Sequence, residues 1–249
     1  MSSERLAVSH VDLEELDLPA LDRYLAERAP ALVAAGGRDE AGIRLGLLAK
    51  TAPRVVPSLV GLYVFGKLPQ YAFPEWGVSC VGVEGRSLGD PIARRADLEG
   101  ALPALAEAAL DFVCGDSEGG DSGPYPREVV REAIVNALVH RDLRKPSRVA
   151  VRVYTDRLEV WSPGGPPEGQ TDLEELAREG GVSVPRNPLL ASIARQLGLG
   201  EQLGRGLVLV AQRGAPSLEE RVEIRSSPRE VLLSIPPRWR RPATAAELS

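Results

Sequence analysis

Apolar positions in the second half of the chain recur with the periods of a long helix, paired strands and several short helices. The segment YPREVVREAIVNALVHRDL, residues 125–143, predicts one helix in which apolar residues fill most positions. SRVAVRVYTD and RLEVWS alternate apolar and polar residues, which predicts two strands with a tight turn at Thr155-Asp156. Later segments predict three helices and a closing hairpin: DLEELAREG, NPLLASIARQLGLG, EQLGRGLVLVAQRG and RVEIRSSPREVLLSIP.

The first half has a different pattern of apolar and polar residues. LPALDRYLAERAPALVAAG predicts a helix ending at Gly36 and Gly37, and GIRLGLLAK a second short helix. PSLVGLYVFGKLP and WGVSCVGVEG predict two strands, and RRADLEGALPALAEAALDFVC predicts a helix. Residues 114–124, CGDSEGGDSGP, have the composition of a linker.

These patterns predict an α+β protein in two parts. We expect a smaller α/β domain at residues 1–118 and a second domain at residues 122–236, with a disordered tail at 237–249. The element order of the second domain predicts a sandwich with helices on one face of a mostly antiparallel sheet.

Composition fits an ordinary soluble protein. Of 249 residues, 43% are hydrophobic and 26% charged, and the sequence contains no signal-peptide pattern and no apolar run of membrane-spanning length, so we expect a cytoplasmic protein. Cys80 and Cys114 lack metal-ligand spacing. The net charge of −5 argues against a dedicated nucleic-acid binder, and the arginines of PPRWRRPA are more typical of a solvated tail.

Two motif matches fail on physical grounds. GLYVFGKL, residues 61–68, nearly fits a phosphate-binding loop, but its bulky residues predict a strand, and Leu68 replaces the hydroxyl that binds magnesium. HRD at residues 140–142 resembles a kinase catalytic loop, yet Ser147 stands where that loop requires asparagine.

A line of polar residues runs along the helix of residues 125–143. Glu128, Glu132, Asn136 and His140 recur every four positions, so they lie near one face. An unpartnered buried carboxylate costs several kcal/mol, so this line faces either water or a polar cleft. Because apolar residues spread around most of the helix, a cleft is favoured over a solvated stripe.

Two glycine signals follow the helix. SPGG ends a predicted strand, and GRG within EQLGRGL precedes a predicted helix. Glycines at such places let backbone amides approach an anion, although each pattern alone is more often a turn. The order of helix, hairpin, glycine pair, helical insert and second glycine turn is the informative feature.

That order resembles the GHKL (gyrase, Hsp90, histidine kinase, MutL) ATP-binding fold, also called the Bergerat fold. YPREVVREAIVNALVHRDL, DRLEVWSPGG, RNPLLA and GEQLGRGLVLV are similar to the histidine-kinase-like ATPase domain of RecG-like transcriptional regulators. These proteins often carry a Schlafen/Alba-type domain. The resemblance covers roughly residues 55–212, and its first half is the less specific part.

The resemblance implies Mg²⁺ and ATP as ligands and assigns roles on the long helix. Glu132 corresponds to the base that orients the attacking water, and Asn136 to the residue that holds magnesium. A carboxylate can accept a proton, and an amide oxygen is a hard magnesium ligand. His140 and Arg141 are implied as phosphate contacts or as caps of the helix.

The resemblance also implies a nucleotide-binding role for the later segments. Residues 166–200 correspond to the lid. The implied contacts are Ser162, Gly164 and Gly165 near adenine, Arg186 and Asn187 on the lid, and Gly204, Arg205 and Gly206 near the phosphates.

This sequence departs from the family pattern at two points. Ser162 stands where the general GHKL fold has an aspartate that reads the adenine amino group. Neither the Alba-type domain nor a helix-turn-helix is recognised here, so both usual DNA-contacting pieces are missing from the resemblance.

Three functions follow as hypotheses. The first is a Mg-ATP-binding protein that hydrolyses ATP slowly or not at all and switches the binding of a protein partner. The second is a scaffold that keeps the fold without ATP turnover. The third is a DNA-associated transcriptional regulator, which the charge does not support. Homodimerisation is left open, and no membrane contact is expected.

Overall fold

The first half consists mainly of helices. The computed structural model describes residues 3–115, 123–166, 173–179, 184–200, 206–214 and 221–238. The elements of the first half, in chain order, are α1 (Leu18–Arg28), α2 (Pro30–Leu45), β1 (Leu48–Thr51), β2 (Arg54–Pro57), α3 (Leu59–Phe65), β3 (Val78–Val83), β4 (Ile92–Leu98) and α4 (Leu102–Cys114). Short 3-10 turns lie at Ser3–Arg5, Leu13–Glu15, Pro69–Tyr71 and Pro74–Trp76.

The second half follows the predicted order of elements. These are α5 (Arg127–His140), β5 (Val149–Val153), β6 (Leu158–Pro163), α6 (Leu173–Glu179), α7 (Pro188–Gln196), α8 (Gly206–Arg213), β7 (Glu223–Ser227) and β8 (Glu230–Ile235). β5 and β6 form the predicted hairpin, and the amide of Tyr154 donates to the carbonyl of Arg157 (2.8 Å) across its turn.

Six strands form one sheet in the order β4-β3-β5-β6-β8-β7. Only the pairing of β3 with β5 is parallel among these described strands, with Val78 opposite Val149. Helices α4, α5 and α8 pack side by side, and α4 and α5 also contact the sheet. This arrangement confirms the α+β class and the mostly antiparallel sheet.

The sheet runs across the predicted domain boundary. β3 and β4 come from the first half, whereas the other four strands come from the second. The indole of buried Trp76 donates to the carbonyl of Leu143 (3.0 Å), and one hydrophobic core includes residues from both halves. The two halves therefore share a sheet and a core, contrary to the prediction of separate domains. Most of the predicted linker, residues 116–122, and residues 239–249 of the predicted tail lie outside the described residues.

Helix α3 replaces a predicted strand. The hydroxyl oxygen of Ser58 accepts a hydrogen bond from the amide of Gly61 (3.1 Å) and caps the helix. A Cβ on Gly61 would lie 1.9 Å from the carbonyl oxygen of Leu47, so glycine permits close packing there. Residues 60–65 are all buried, and a segment that is apolar on every side has no period to distinguish helix from strand.

Three smaller differences concern element ends. α2 continues past Gly37, whose φ of 70° and ψ of −167° interrupt the helix, and ends at Leu45. The segment GIRLGLLAK is therefore divided between α2 and β1, and residues 94–98 belong to strand β4 instead of a helix. Within the described ranges, no helix is both long and apolar enough to cross a membrane.

Candidate functional site

The polar line of helix α5 divides between the surface and a cavity. Glu128, in the first turn, is exposed and forms an ion pair with Arg213 of α8 (2.6 Å). Glu132, Asn136 and His140 all line the cavity. The predicted cleft is therefore present for three of the four residues.

Glu132 and Asn136 interact directly inside this cavity. The amide nitrogen Nδ2 of Asn136 donates to the carboxylate oxygen Oε1 of Glu132 (3.0 Å). Glu132 is 8% exposed, so its carboxylate is largely shielded from bulk water. Because Nδ2 is engaged with Glu132, the amide oxygen of Asn136 is the atom left to meet a cation.

The start of helix α8 lies against this pair. A Cβ on Gly206 would fall 1.7 Å from Oε1 of Glu132 and 3.1 Å from Nδ2 of Asn136. Only glycine lets the backbone of α8 come so close to the carboxylate. Gly206 therefore lies where the second glycine signal was predicted to meet the site, whereas Gly204 and Arg205 are outside the described residues.

His140 lines the cavity one turn beyond Asn136. Burial, together with the positive charges of Arg186 and Arg195, lowers its pKa from 6.5 to about 4. The imidazole is therefore neutral at pH 7 and does not contribute positive charge to the cavity.

Among the described residues, two arginines supply the positive charge of the cavity. Arg186, predicted as a lid contact, donates to the carbonyl of Gly165 and lies 3.6 Å from the carboxylate of Asp142. Its Nε is buried and has no hydrogen-bond partner among the described residues. Arg195 in the last turn of α7 also lines the cavity, and its side chain forms no hydrogen bond or ion pair among the described residues.

Arg195 was not among the site residues predicted from the sequence. The helical period of α7 could have indicated this residue, because Ala191, Ala194 and Arg195 share one face of the helix. The two alanines leave room at this wall, and the arginine follows them on the same side.

Ser162 lines the same cavity from the end of strand β6. Its hydroxyl donates to the carbonyl of Ala137 in α5 (2.7 Å), and the residue is buried. A hydroxyl that donates one hydrogen bond keeps lone pairs that can accept another. Ser162 can therefore still accept a hydrogen bond from a ligand amino group.

The glycine pair after β6 has a different role from the one expected. The amides of Gly164 and Gly165 donate to carbonyls of the β7–β8 turn, to Arg229 (2.7 Å) and to Pro228 (3.4 Å). Gly164 has a φ of 101°, and a Cβ on Gly165 would lie 1.8 Å from the carbonyl oxygen of Ser227. These glycines line the cavity but serve close backbone packing, so their amides are not free for a nucleotide.

Arg141 and Asn187 also have structural partners in place of the expected ligand contacts. Arg141 is completely buried away from the cavity and donates to the carbonyls of Glu75 and Ser147 (both 2.9 Å). The amide of Asn187 donates to the carbonyls of Val139 and Arg141 (both 2.8 Å). Both side chains fasten the end of α5 to neighbouring segments and neither lines the cavity; of the two roles implied for Arg141, its position directly after α5 fits the cap.

The cavity is partly enclosed and has a volume of about 170 Å³. Its apolar walls come from five of the surrounding elements: Val135 and Val139 of α5, Val160 of β6, Leu173 and Leu176 of α6, Ala191 and Ala194 of α7, and Val231 and Leu233 of β8. Small-molecule sites usually measure about 300–1,000 Å³. The space is therefore smaller than a whole nucleotide requires.

Residues 147–235 match the family model described as "Putative ATP-dependent DNA helicase recG C-terminal". This part of the chain is similar to an ATPase-like, RecG-related domain. The match begins at the hairpin of β5 and β6 and reaches the end of β8, so it includes Ser162 and Gly206. Helix α5, with Glu132 and Asn136, precedes it. The resemblance seen in the sequence is confirmed over the matched residues.

A solved structure shares the fold over nearly the whole chain. The DIP2311 protein from Corynebacterium diphtheriae superposes with a TM-score of 0.64 at 22% identity, over 95% of this chain and 40% of its own. This chain thus spans well under half the length of that protein. No curated protein matches the sequence.

Proposed function

We propose that the cavity binds Mg-ATP and that nucleotide binding switches an interaction with a protein partner. One observation carries the proposal: Glu132 and Asn136 meet the glycine start of α8 inside a cavity in which the other charged residues that the structure describes are arginines. Within a domain of ATPase type, this combination fits a triphosphate and its cation better than it fits an uncharged ligand.

The donor set suits magnesium. The amide oxygen of Asn136 is a hard oxygen donor on a residue that lines the cavity. Magnesium is usually held by one or two protein oxygens together with phosphate oxygens and water, and it neutralises phosphate charge when bound. In the described residues, no group of three or more His, Cys, Asp or Glu side chains gathers as a metal site. The proposed ion would therefore depend on nucleotide phosphates for much of its coordination.

Arg186 and Arg195 would balance the phosphate charge. Arg195 forms no ion pair among the described residues, and Arg186 keeps a buried Nε without a hydrogen-bond partner. Guanidinium groups bind phosphate oxygens through short, charge-assisted hydrogen bonds. Neutral His140, between these arginines, can accept or donate a hydrogen bond without adding positive charge.

The base of the nucleotide would lie against the apolar wall beside Ser162. Val160 and Leu233 form walls near Ser162, whose hydroxyl can accept from an exocyclic amino group. A neutral hydroxyl binds such a group less strongly than a carboxylate does. We therefore expect modest discrimination between ATP and GTP.

Nucleotide entry requires the lid to move. The cavity of about 170 Å³ holds only part of a nucleotide, and α6 and α7 supply much of its wall. Displacement of these helices would enlarge it and would change the surface that they present outside. This movement is the proposed origin of the switch.

Glu132 would act as the base in hydrolysis. Its carboxylate is held by Asn136 and shielded from bulk water, so it can orient and deprotonate a water beside the terminal phosphate. Hydrolysis is expected to be slow, because opening and closing of the lid would limit each cycle.

Thermal unfolding with Mg-ATP tests this proposal. At a hundred times its dissociation constant, a ligand stabilises the folded state by about 2.7 kcal/mol. That corresponds to a shift of about 5–11 °C at roughly 2–4 °C per kcal/mol. Arg195→Gln should reduce the shift, whereas Arg23→Gln removes the same charge from the exposed side of α1 and should not.

A second function has specific support. Ser162 in place of an aspartate and the engaged amides of Gly164 and Gly165 weaken the expected adenine contacts. Both observations favour a scaffold that retains the fold without nucleotide. An unchanged melting temperature in millimolar Mg-ATP would favour this scaffold over the ATP-binding protein.

A further inference from the structure

A second cavity lies on the other side of helix α7. It has a volume of about 240 Å³ and separates α7 from the helices of the first half. Its lining residues are Arg5, Tyr24, Arg28, Arg44, Leu45, Leu47, Leu189, Ser192, Ile193 and Gln196. None of these residues lines the first cavity, so the two spaces are separate.

Three arginines stand at the second cavity, and no carboxylate lines it among the described residues. Arg44 is paired with Glu40 (2.5 Å), and Arg28 donates to the carbonyl of Gln196 (2.9 Å). Arg5 forms no ion pair within the described part of the chain, and its guanidinium lies over Gly46. Besides Glu40, the buried carboxylate of Glu4 lies at the amides of Leu189 and Leu190, so two carboxylates stand near three arginines in a protein whose net charge is −5.

The floor of this cavity is apolar and fixed. Leu47 and Ile193 are almost fully buried, and Leu189 and Leu45 extend the apolar surface. The hydroxyl of Tyr24 donates to the side-chain oxygen of Gln196 (2.5 Å), which joins α1 to α7 at the cavity edge. The space thus combines a charged rim with an apolar interior.

Helix ends alone do not explain the arrangement. Arg28 and Arg44 lie in the last turns of α1 and α2, where positive charge is favourable. That effect accounts for each of these two arginines separately. It extends to Arg5, whose guanidinium lies over Gly46 at the end of α2, but it does not account for the open space that the three arginines surround.

We infer that this second cavity binds a small organic anion, with a carboxylate or phosphate head and an apolar body. The arginines would bind the charged head, because a guanidinium group binds a carboxylate or a phosphate through paired hydrogen bonds. The partly exposed side chains of Leu45 and Leu189 match the body, because they have apolar surface that a ligand can cover. The volume limits the body to about the size of one ring or a short aliphatic chain.

Helix α7 would connect the two sites. Ser192 and Gln196 face the second cavity, whereas Ala191 and Arg195 face the first. An anion in the second cavity would draw Arg5 and Arg28 toward it. This movement would shift α7, because Arg28 contacts Gln196 of that helix. Binding at either site is therefore expected to alter affinity at the other, a consequence that rests on the proposed function.

Calorimetric titration with phenyl phosphate tests the site itself. We expect saturable binding, tighter than that of inorganic phosphate because the ring enters the apolar floor, and no binding of phenol. Arg5→Gln should weaken phenyl phosphate about tenfold, the loss of one charge-assisted hydrogen bond. Arg23→Gln, with the same charge change on an exposed position of α1, should leave it unaltered.

Further variants make the outcome decisive. Arg195→Gln should not affect phenyl phosphate, since Arg195 lines the first cavity. Arg44→Gln repeats the test if Arg5→Gln fails to fold, as judged by circular dichroism. Absence of saturation at about 10 mM, or equal weakening by Arg195→Gln and Arg5→Gln, would overturn the inference. Failure of ATP binding alone would overturn only the proposed function.

Discussion

The carboxylate of Glu132 lies against the backbone of Gly206, so close that a Cβ on that glycine would stand 1.7 Å from its oxygen Oε1. This contact joins the acid of α5 to the start of α8. It explains why a glycine is required at this position, since any side chain would displace the carboxylate or the helix.

Gly206→Ala should therefore disturb both the fold and the site. We expect a loss of about 1–3 kcal/mol in the free energy of unfolding, typical of overpacking, and at least about tenfold weaker ATP binding. Urea unfolding and calorimetric titration measure the two effects. Gly89→Ala is the control, because a Cβ there would meet only the hydroxyl of Ser87 at 3.7 Å. Equal ATP affinity in Gly206→Ala and the wild type would show that Gly206 is not part of the ATP-binding site.

Glu132→Gln should separate hydrolysis from binding. Glutamine keeps the size of the side chain and can still accept from Asn136, but it cannot take a proton from water. We expect ATP hydrolysis to fall about 10²–10⁴-fold while ATP affinity changes little. Phosphate release under saturating Mg-ATP is the measurement. A hydrolysis rate equal to that of the wild type would remove Glu132 as the base.

His140 should make stability fall in mild acid. Its pKa is about 4 in the folded protein against 6.5 for an ordinary histidine, so the unfolded chain binds the proton first as pH falls. Above pH 6.5, neutral His140 makes its full contribution to the free energy of unfolding. This contribution is lost as the pH falls from 6.5 to 4. At pH 5 the loss is about 2 kcal/mol.

The measurement for His140 is urea unfolding at pH 7.5 and pH 5. In His140→Gln the difference in unfolding free energy between these pH values should be smaller by about 2 kcal/mol. Other titrating groups contribute equally to both proteins and cancel in the comparison. The same pH dependence in both proteins would contradict a His140 that stays neutral at pH 5 in the folded protein.

Glu4 should be required for the position of α7. Its carboxylate oxygens accept from the amides of Leu189 (3.0 Å) and Leu190 (2.9 Å) at the start of this helix, and the residue is buried. Hydrogen bonds to a charged group contribute about 1.5–3 kcal/mol. Glu4→Ala should lower the unfolding free energy by at least that amount in chemical denaturation.

The exposed Glu14→Ala is the matched control for Glu4→Ala and should stay within about 0.5 kcal/mol of the wild type. Because α7 carries Arg195, Glu4→Ala should also weaken ATP binding. Unchanged stability in Glu4→Ala would mean that water replaces the carboxylate at the helix start without cost.

Local patterns revealed the second half of the fold because its elements are amphipathic or bounded by clear signals. α5, α7 and the β5–β6 hairpin each have a period that matches their burial. α3 could not be predicted in this way, since it is buried on every side. The cap at Ser58 was the available signal. The parallel pairing of β3 with β5 is a long-range contact that local periods do not encode.

The site was predictable where chemistry depends on spacing along one helix. Glu132, Asn136 and His140 share a face of α5, so four-residue spacing placed them together correctly. The side chains of Arg141 and Asn187 do not line the cavity, because position in a motif does not reveal which way a side chain points. Both side chains bond to backbone carbonyls that only the folded chain brings near.

A crystal structure with magnesium and a non-hydrolysable ATP analogue tests the central claim most directly. We predict phosphate density between the Glu132–Asn136 pair, the start of α8 and Arg195, with the ring toward Ser162 and with α7 displaced relative to the structure described above. Analogue density elsewhere, or a cavity that stays at about 170 Å³ without ligand at saturating concentration, would contradict the account.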